Sequence, residues 1–306
     1  MYDIIIIGGG PAGINAGIYA ARYRLKTLLI TENFGGQIVW KSVDIENYLG
    51  FGKISSPDLI KKFREHLKNF EVEIMEGDSV IGVSKGEAGF LVKTKSGKDF
   101  EGKTAIVASG ASPRHLNVAG EKEFIGRGVS YCATCDAAMF KNKSVAVIGG
   151  GNAGFEAALA LSKWADKIYI LEFAPTMPAD EANKSMAAET GKIELIASVA
   201  LKEIKGAQFV SSINYEDRVS KEIKSLNVEG VFIEIGHQPA NVFVKDLVEF
   251  NEKSEIKVDD NFMSKTPGFF AAGDVNNTKY KQIIVAASEG AQAALSAYEY
   301  LRTYGK

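Results

Sequence analysis

One pattern occurs twice in this 306-residue chain and limits its fold more than any other feature. A short apolar run is followed by a glycine-rich turn, a helical stretch and a second apolar run that ends in an acidic residue. The two copies have Gly-Gly-Gly-Pro-Ala-Gly at residues 8–13 with Glu32, and Gly-Gly-Gly-Asn-Ala-Gly at residues 149–154 with Glu172. In this arrangement the glycines let the backbone approach a pyrophosphate at a helix N-terminus, and the acid accepts the ribose hydroxyls. The sequence therefore predicts an α/β chain with two dinucleotide-binding sites.

The segments that follow the two glycine-rich units also match. In both halves, short strand patterns broken by polar turns lead into a buried strand, at residues 104–108 and 231–235. A tail strand and a last helix at 283–301 come only after the second set, which indicates that the second unit is inserted into the first. We predict two Rossmann-like domains of the three-layer ββα type, one made of residues 1–113 and 243–306 and the other of residues 114–242.

The chain's two cysteines, Cys132 and Cys135, form a Cys-x-x-Cys pair just before the second glycine-rich unit. This spacing can close a small disulfide, and it lowers a thiol pKa from about 8.5 toward about 7 or below, giving the thiolate that disulfide exchange needs. One alternative is zinc, which takes four ligands, but the three histidines, His66, His115 and His237, show no ligand spacing. Another alternative is an inert, reduced pair. A flavin and a nicotinamide are the economical occupants of two dinucleotide sites, so we favour an electron-transfer route that includes the cysteines.

Composition bears on several classes of function. The net charge is −2 and Lys and Arg are scattered, so there is no electrostatic case for nucleic acid binding. The apolar run at residues 4–7 is too short to span a bilayer, and no secretion signal is recognisable, so we expect no membrane partner. We therefore expect a cytoplasmic location, where a disulfide is usually catalytic or sensing rather than structural.

The C-terminal segment predicts further contacts with a flavin. Asp274 directly follows a strand and could accept hydrogen bonds from ribityl hydroxyls. The helix after Gln282 would present free N–H groups and its positive dipole end to the ring edge of a reduced flavin, which gathers negative charge. A helix cap and a turn acid are the alternative interpretations.

Short motifs throughout the chain resemble the low-molecular-weight thioredoxin reductases. They are Gly-Gly-Gly-Pro-Ala-Gly at 8–13, Gly-Gly-Gln at 35–37, Ile-Glu-Asn-Tyr at 45–48, Cys-Ala-Thr-Cys-Asp at 132–136, Gly-Gly-Gly-Asn at 149–152 and Ala-Ala-Gly-Asp at 271–274. Others are more similar to the flavoprotein subunit of alkyl hydroperoxide reductase: Leu-Glu-Phe-Ala-Pro at 171–175, Tyr-Glu-Asp-Arg-Val-Ser at 215–220 and Tyr-Lys-Gln-Ile-Ile at 280–284. That subunit has an additional N-terminal domain with its own disulfide, whereas here the flavin motif begins at residue 3. The expectation is therefore a separate protein partner.

The resemblance implies that residues 1–113 and 243–306 bind FAD, that residues 114–242 bind a nicotinamide dinucleotide, and that each matching residue has a role. The FAD pyrophosphate would lie against the first glycine turn and the adenosine ribose beside the acid, that is, against Gly8, Gly10, Pro11, Ala12, Gly13 and Glu32. The flavin side would be lined by Gly36, Gln37, Asn47, Ser109, Gly110, Gly273, Asp274, Gln282 and Ile283. The nicotinamide dinucleotide would be held by Gly149, Gly151, Asn152, Ala153, Gly154, Glu172 and Gly236.

For the redox pair, the resemblance implies that Cys135 lies against the flavin and that Cys132 attacks the partner's disulfide. Asp136 would move protons to and from the thiols; a helix N-cap is its other possible role, and the two are compatible. The implied partner is a thioredoxin- or glutaredoxin-like protein, and a peroxiredoxin further along the route is compatible with it. The family resemblance also implies a homodimer and a rotation of the inserted domain, with hinges near residues 112–117 and 240–245.

The sequence after the second acid predicts which nicotinamide is used. Reductases of this kind that use NADPH carry basic residues here, whereas residues 172–178 read Glu-Phe-Ala-Pro-Thr-Met-Pro. Glu172 would accept both ribose hydroxyls and repel a 2′-phosphate, so we predict NADH in preference to NADPH by roughly 100-fold in kcat/KM. Two other functions stay open at this point: a ferredoxin-fed flavin disulfide reductase with a vestigial second site, and a nicotinamide-responsive redox sensor without turnover.

Overall fold

The computed structural model describes residues 1–40 and 45–304 and divides the chain into two compact units. We call Met1–Ser112 with Gln238–Lys306 the discontinuous unit and Pro113–His237 the inserted unit. The sequence placed the second boundary after residue 242. In the structure, Ala240 N donates to Gly110 O of the discontinuous unit, and residues 238–242 belong with that unit. Residues 305 and 306, which the sequence assigned to the FAD-binding domain, lie outside the described residues.

The strands of the described residues alternate with helices in the first part of each unit and follow one another in the later part. In chain order they are β1 (Tyr2–Ile7), β2 (Thr27–Thr31), β3 (Val72–Glu76), β4 (Val80–Lys85), β5 (Phe90–Thr94), β6 (Asp99–Val107), β7 (Ala111–Pro113), β8 (Val129–Ser130), β9 (Ser144–Ile148), β10 (Lys167–Leu171), β11 (Ile193–Ile196), β12 (Val199–Gly206), β13 (Val210–Asp217), β14 (Ile223–Asn227), β15 (Gly230–Ile233), β16 (His237–Pro239) and β17 (Phe269–Ala271).

The helices complete the two units. They are α1 (Pro11–Arg22), α2 (Ser56–Leu67), α3 (Ala133–Asp136), α4 (Asn152–Leu161), α5 (Glu181–Glu189) and α6 (Ile283–Tyr304), with 3-10 turns at Gly36–Trp40, Ala137–Phe140 and Val242–Val244. Within residues 1–40 and 45–304, none of these helices is long and apolar enough to cross a membrane.

The main sheet of the discontinuous unit has the order β3-β2-β1-β6-β5-β4, with β17 also pairing with β6. β1 lies parallel between β2 and β6, with Ile4 opposite both Thr27 and Thr104. Because helices and the antiparallel strands cover both faces, residues 4–7 are an uninterrupted buried isoleucine run rather than an alternating pattern. This parallel arrangement places the carboxyl ends of β1 and β2 at one edge, where the first glycine turn and Glu32 follow.

Helix α1 packs closely against α6 in the discontinuous unit. Small residues make this possible: a Cβ on Gly290 would lie 1.9 Å from Ala12 O, and Ala16, Ala293 and Ala297 are fully buried. Larger side chains would push the helices apart. The packing fixes the first turns of both helices, where the glycine turn and Gln282 lie.

The inserted unit repeats this construction. Its five strands run in the order β11-β10-β9-β15-β8, and all the pairs are parallel. A separate antiparallel sheet, β12-β13-β14, packs over it. Phe155 of α4 and Phe232 of β15 are fully buried in the core between helices and sheet. The second copy of the pattern therefore has the same strand–turn–helix–strand order as the first.

The apolar runs Tyr2–Ile7 and Lys167–Leu171 predict strands, and β1 and β10 have these limits. The predictions for other elements were wrong. The alanine-rich stretch at residues 14–24 predicts a helix, but α1 begins at Pro11 because the glycine turn leads directly into it. The strand patterns at residues 72–103 predict hairpins, but β3 at the start of this range pairs in parallel with β2 because α2 provides the crossover. Helix α5 was not predicted at all: of its nine residues only Ala187 is buried, so no apolar stripe marks it in the sequence.

Candidate redox and dinucleotide sites

Cys132 and Cys135 form a disulfide in the inserted unit, with their Cα atoms 5.3 Å apart. Cys132 is the N-cap of α3, and Cys135 lies within that short helix. The helical turn brings the two sulfurs together because Cys135 N and Asp136 N both donate to Cys132 O, at 3.2 and 3.1 Å. Both cysteines are half-buried, so the pair is neither sealed in the core nor on an open surface. This is the arrangement of an exchangeable disulfide.

Two carboxyl groups flank the disulfide. Asp136 Oδ2 accepts a hydrogen bond of 2.6 Å from the Ser130 hydroxyl, and Ser130 Oγ in turn accepts from Cys132 N at 3.1 Å. The alternative role of Asp136 as a helix cap is not realised, since its side chain makes no capping hydrogen bond to the 3-10 turn that follows. Asp136 is therefore positioned by a serine hydroxyl next to the redox pair, as a proton-handling acid would be.

The second carboxyl group, Glu234, was missed by the sequence analysis. It follows β15 and accepts from the backbone N–H of Ala133, the first residue of α3. The pKa of Glu234 is raised to about 7, chiefly by burial; the Ala133 hydrogen bond opposes the rise and the nearby Glu156 carboxylate adds to it. A carboxyl that can be protonated or charged near neutral pH thus supports the helix that bears the cysteines.

A buried acid also organises the chain before the redox pair. Glu121 is 1% exposed and accepts from Tyr131 Oη at 2.7 Å and from the backbone N–H groups of Leu116 at 3.0 Å and Asn117 at 2.6 Å. Burial alone would raise the pKa of Glu121, but these hydrogen bonds outweigh it and hold the pKa below its ordinary value. Because Tyr131 directly precedes Cys132, this carboxylate fixes the start of the redox segment.

The first glycine turn forms a tight cradle at the start of α1. Gly8 has φ of 118°, and a Cβ on Gly13 would lie 1.8 Å from Gly8 O. Pro11 opens the helix, and Gly10 is its N-cap without a side-chain capping bond, so the N–H groups of the first turn are available to an anion. Ala12 lies in that first turn. These features fit a pyrophosphate.

The remaining residues predicted for FAD surround this cradle. The side chain of Glu32 is exposed just past the end of β2, where a ribose would lie. A Cβ on Gly36 would come 2.9 Å from Gly10 Cα, so the backbone of this segment passes close to the turn. Gln37 donates to Ala111 O and, at 3.1 Å, to Asp274 Oδ2, a residue 237 positions away in sequence. The fold thus brings the predicted pyrophosphate and flavin residues into one region.

The C-terminal part of the predicted flavin site is also assembled. Asn47 Nδ2 donates to Gln282 Oε1 at 3.2 Å, and Ile283 begins α6 immediately afterwards. Gly273 N donates to Glu289 Oε2 at 2.7 Å. Glu289, which is 4% exposed, was not recognised from the sequence; its burial raises its pKa, and its hydrogen bonds from Gly273 and Asn276 oppose the rise.

Two predicted FAD residues lie where the chain leaves the discontinuous unit. Ser109 Oγ donates to Ala240 O at 2.5 Å. Gly110 has φ of 72°, and a Cβ built on it would meet no atom within 4 Å, so the space beside it is open. These two residues follow the carboxyl end of β6, on the side of the sheet where the cofactor is predicted.

The second glycine turn repeats the first in the inserted unit. A Cβ on Gly154 would lie 1.8 Å from Gly149 O, and Gly151 is the N-cap of α4 without a side-chain capping bond. A Cβ on Gly151 would meet nothing within 4 Å, which leaves room for a pyrophosphate. Ala153 is exposed in the first turn of α4. Gly236, predicted for the same site, has φ of 95° and open space beside it.

Asn152 has a structural task in addition to its predicted one. Its Oδ1 accepts from Asp180 N and its Nδ2 donates to Asp180 Oδ2, both at 2.8 Å. Asp180 is the N-cap residue of α5, so Asn152 joins the starts of α4 and α5. The side chain is thereby held at the rim of the glycine turn.

Glu172 is fixed by the backbone around it. Its Oε2 accepts from Gly150 N at 2.5 Å and its Oε1 accepts from Ala174 N at 2.8 Å. Each carboxylate oxygen has two lone pairs and can still accept a ribose hydroxyl. The acid predicted from the motif therefore faces the glycine turn in a defined orientation.

An arginine lies beside Phe173, the residue that follows Glu172, and its position there is not apparent from the linear sequence. Arg218 follows β13, yet its Nη1 donates to Phe173 O at 2.6 Å and its guanidinium lies 3.6 Å from the centre of the Phe173 ring. The two residues are 45 positions apart, so only the packing of the β12-β13-β14 sheet on the parallel sheet reveals the contact. Among the described residues, no group of three or more His, Cys, Asp or Glu side chains is arranged to hold a metal ion.

Known proteins similar to this chain include pyridine nucleotide-disulphide oxidoreductases. The family model for pyridine nucleotide-disulphide oxidoreductases matches residues 2–290. The chain is 38% identical over 300 residues to a Bacillus subtilis protein called NADH dehydrogenase, covering 98% of this chain and 58% of that protein. It is 40% identical over 304 residues to an alkyl hydroperoxide reductase subunit of Pseudomonas aeruginosa, again covering 98% of this chain and 58% of that protein. The chain thus spans less than two thirds of the length of these relatives.

A solved structure matches over its whole length. Thioredoxin reductase from Streptococcus pyogenes superimposes with a TM-score of 0.92 at 36% identity, covering 99% of each chain. The mixed α/β fold with two dinucleotide-binding domains is therefore shared with that protein.

Proposed function

The chain belongs to the pyridine nucleotide-disulphide oxidoreductase family, a family of enzymes, and within it we propose an NADH-dependent FAD flavoprotein that reduces the disulfide of a thioredoxin- or glutaredoxin-like protein. The single observation that carries this proposal is the half-buried Cys132–Cys135 disulfide in the same unit as the second glycine cradle. The discontinuous unit, with the first cradle, is the proposed FAD-binding domain. FAD, when bound, supplies a two-electron carrier between the nicotinamide and the disulfide.

In the proposed reaction the reduced cysteines act in sequence on the partner. The Cys132 thiolate attacks one sulfur of the partner's disulfide, which forms a mixed disulfide and releases the other sulfur as a thiolate. Cys135 then attacks the Cys132 sulfur, closes the intramolecular disulfide and releases the partner's second thiolate. Asp136, held by Ser130, returns protons to the departing thiolates. The partner gains two electrons and two protons, and the chain returns to the disulfide form.

The two cysteine roles can be tested by trapping. In Cys135→Ser protein, Cys132 would keep the partner as a mixed disulfide because no second thiol is present to release it. Cys132→Ser protein is the matched control and should trap no partner from the same extract. Intact-mass analysis of the eluted complex, with and without a reductant, measures the outcome. Trapping by Cys132→Ser protein instead would reverse the assignment.

The preference for NADH rests on Glu172 and on the relatives. The name of the Bacillus subtilis relative includes NADH, which supports this choice for the present chain. Two unit charges 4 Å apart interact by about 1 kcal/mol in water and about 4 kcal/mol at an effective dielectric of 20, so a 2′-phosphate against this carboxylate is disfavoured. Arg218 offsets part of that repulsion, and we expect at least about a tenfold preference in kcat/KM.

Steady-state oxidation of NADH and NADPH with a small aromatic disulfide, at fixed ionic strength, tests the proposal. NADH should support turnover and NADPH should be at least tenfold poorer. Equal use of both would contradict the preference. If neither nicotinamide supports turnover but reduced ferredoxin does, the protein is a ferredoxin-fed reductase. If NADH reduces the protein but no disulfide substrate is turned over, the protein is a sensor. The same preparations would show by sedimentation whether the chain is a homodimer, as the resemblance implies.

The relatives named as alkyl hydroperoxide reductase subunits support a route that ends at a peroxidase, so a peroxiredoxin downstream of the disulfide partner is part of the proposal. Adding a candidate thioredoxin- or glutaredoxin-like protein, a peroxiredoxin and a hydroperoxide to the assay tests it. Peroxide-dependent NADH oxidation that requires all three components is the expected result.

A further inference from the structure

A large aromatic side chain is exposed next to the second glycine cradle. Phe173 directly follows Glu172 and is 60% exposed. The Arg218 guanidinium lies 3.6 Å from the ring centre and covers one face of the ring. The solvent-exposed part of Phe173 is therefore its other face and its edge. A single exposed apolar residue is ordinary on a protein surface. Its position beside the proposed ribose carboxylate makes this one distinctive.

The segment that carries Phe173 is held on both sides. Glu172 O accepts from Val199 N and Ala174 O accepts from Ser198 N, both at 2.9 Å, and Phe173 O accepts from Arg218 Nη1 at 2.6 Å. Three consecutive carbonyl groups are therefore bonded to neighbouring elements. The ring is presented on a fixed backbone rather than on a loose loop.

Arg218 is itself anchored. Its backbone N donates to Ser198 O at 2.8 Å, and it lies in a turn closed by Asp217, whose Oδ1 accepts from Val219 N at 3.0 Å. Lys224 Nζ donates to the other oxygen of Asp217 at 2.8 Å. The arginine therefore supports Phe173 from a second sheet and keeps the ring in one orientation.

We propose that Phe173 is the platform on which the adenine ring of the nicotinamide dinucleotide stacks, and that Arg218 is the positioning residue that holds this platform. The inference rests on the proposed function, because it takes the inserted unit as the nicotinamide site. The order of groups along the ligand supports it: the pyrophosphate belongs at residues 149–154, the adenosine ribose at Glu172, and the adenine comes next. A flat aromatic face is what a purine stacks on.

Stacking on Phe173 would contribute to the affinity for the adenosine part of the ligand. Removing an aromatic platform under a base commonly weakens binding by about tenfold. Phe173→Leu should therefore weaken ADP-ribose by about tenfold, because leucine keeps an apolar side chain but has no π face. Arg218→Gln should weaken it by about threefold, since the ring remains but loses its support and the cation on its far face.

The test is titration calorimetry on the FAD-loaded, full-length protein with ADP-ribose and with 2′-phospho-ADP-ribose. Lys221→Gln is the matched control, because it removes a positive charge from the same turn at a side chain 71% exposed that pairs only distantly with Glu216. It should leave both affinities unchanged. Reduced nicotinamide mononucleotide, which lacks adenosine, should reduce Phe173→Leu and unmodified protein at the same rate, which also shows that the variant is folded.

The outcomes separate this inference from the proposed function. If unmodified protein binds neither ADP-ribose nor its 2′-phosphate, the nicotinamide site itself is misassigned and the stacking fails with it. If ADP-ribose binds but Phe173→Leu stays within twofold of the unmodified protein, only the stacking inference is wrong. If Arg218→Gln weakens 2′-phospho-ADP-ribose and spares ADP-ribose, Arg218 is a phosphate ligand and not a support for the ring.

Discussion

Replacing Glu234 by glutamine should change the pH dependence of stability in a direction that the structure fixes. The Glu234 carboxyl lies at the end of β15 and accepts from Ala133 N at the start of α3. Its pKa is raised from the ordinary 4.5 to about 7, chiefly by burial; the Ala133 hydrogen bond opposes this rise and the Glu156 carboxylate adds to it. The folded protein therefore holds the proton more tightly than the unfolded chain.

The sign and size of the effect follow from this difference. Below about pH 4.5 the carboxyl is protonated in both states and has no effect on the pH dependence. Between about 4.5 and 7 the unfolded chain loses the proton first, so the free energy of unfolding falls as pH rises, and the loss is complete above about pH 7. At 1.36 kcal/mol per pKa unit, the rise corresponds to about 3 kcal/mol. Glutamine retains an oxygen that can accept from Ala133 N but cannot ionise.

The measurement is the free energy of unfolding of the oxidised protein in urea at pH 4 and pH 8. Glu234→Gln should match the unmodified protein at pH 4 and exceed it by about 3 kcal/mol at pH 8. Glu229→Gln, at an exposed position on the preceding turn, is the control and should show no such gain. A Glu234→Gln variant that gains no more at pH 8 than at pH 4 would refute the reasoning.

Two further predictions follow from the glycine cradles and from the acid before the redox pair. Gly13→Ala should lose bound FAD, as measured by absorbance, because its Cβ would lie 1.8 Å from Gly8 O. Gly154→Ala has the same clash at Gly149 O and should keep FAD but lose ADP-ribose binding, as measured by calorimetry. Loss of both ligands in either variant would show that the two sites are not independent. Glu121→Gln replaces a buried acceptor of several N–H groups by an amide, so we expect about 2 kcal/mol lower stability in urea at pH 7, and an unchanged value would mean that the carboxylate does not secure this segment.

The sequence determined the features whose chemistry lies in contiguous residues. Both glycine cradles and the cysteine pair could be recognised because a tight turn, a helix start or a small disulfide ring needs only neighbours along the chain. Strands β1 and β10 were predicted with their observed limits because both are mainly apolar and are followed by glycine in one case and by an acid in the other. Helix α5 was missed because only one of its residues, Ala187, is buried and its sequence has no apolar periodicity.

The tertiary structure alone decided which distant residues meet at those turns. Gln37 reaches Asp274 across 237 positions because β17, which ends shortly before Asp274, pairs with β6, and Arg218 reaches Phe173 across 45 because one sheet covers another. Glu234 supports the cysteine helix from the end of a different strand, and its pKa depends on burial that no local pattern encodes. Local spacing fixes backbone conformation, whereas burial, charge environment and long-range contacts depend on the order in which strands and helices pack.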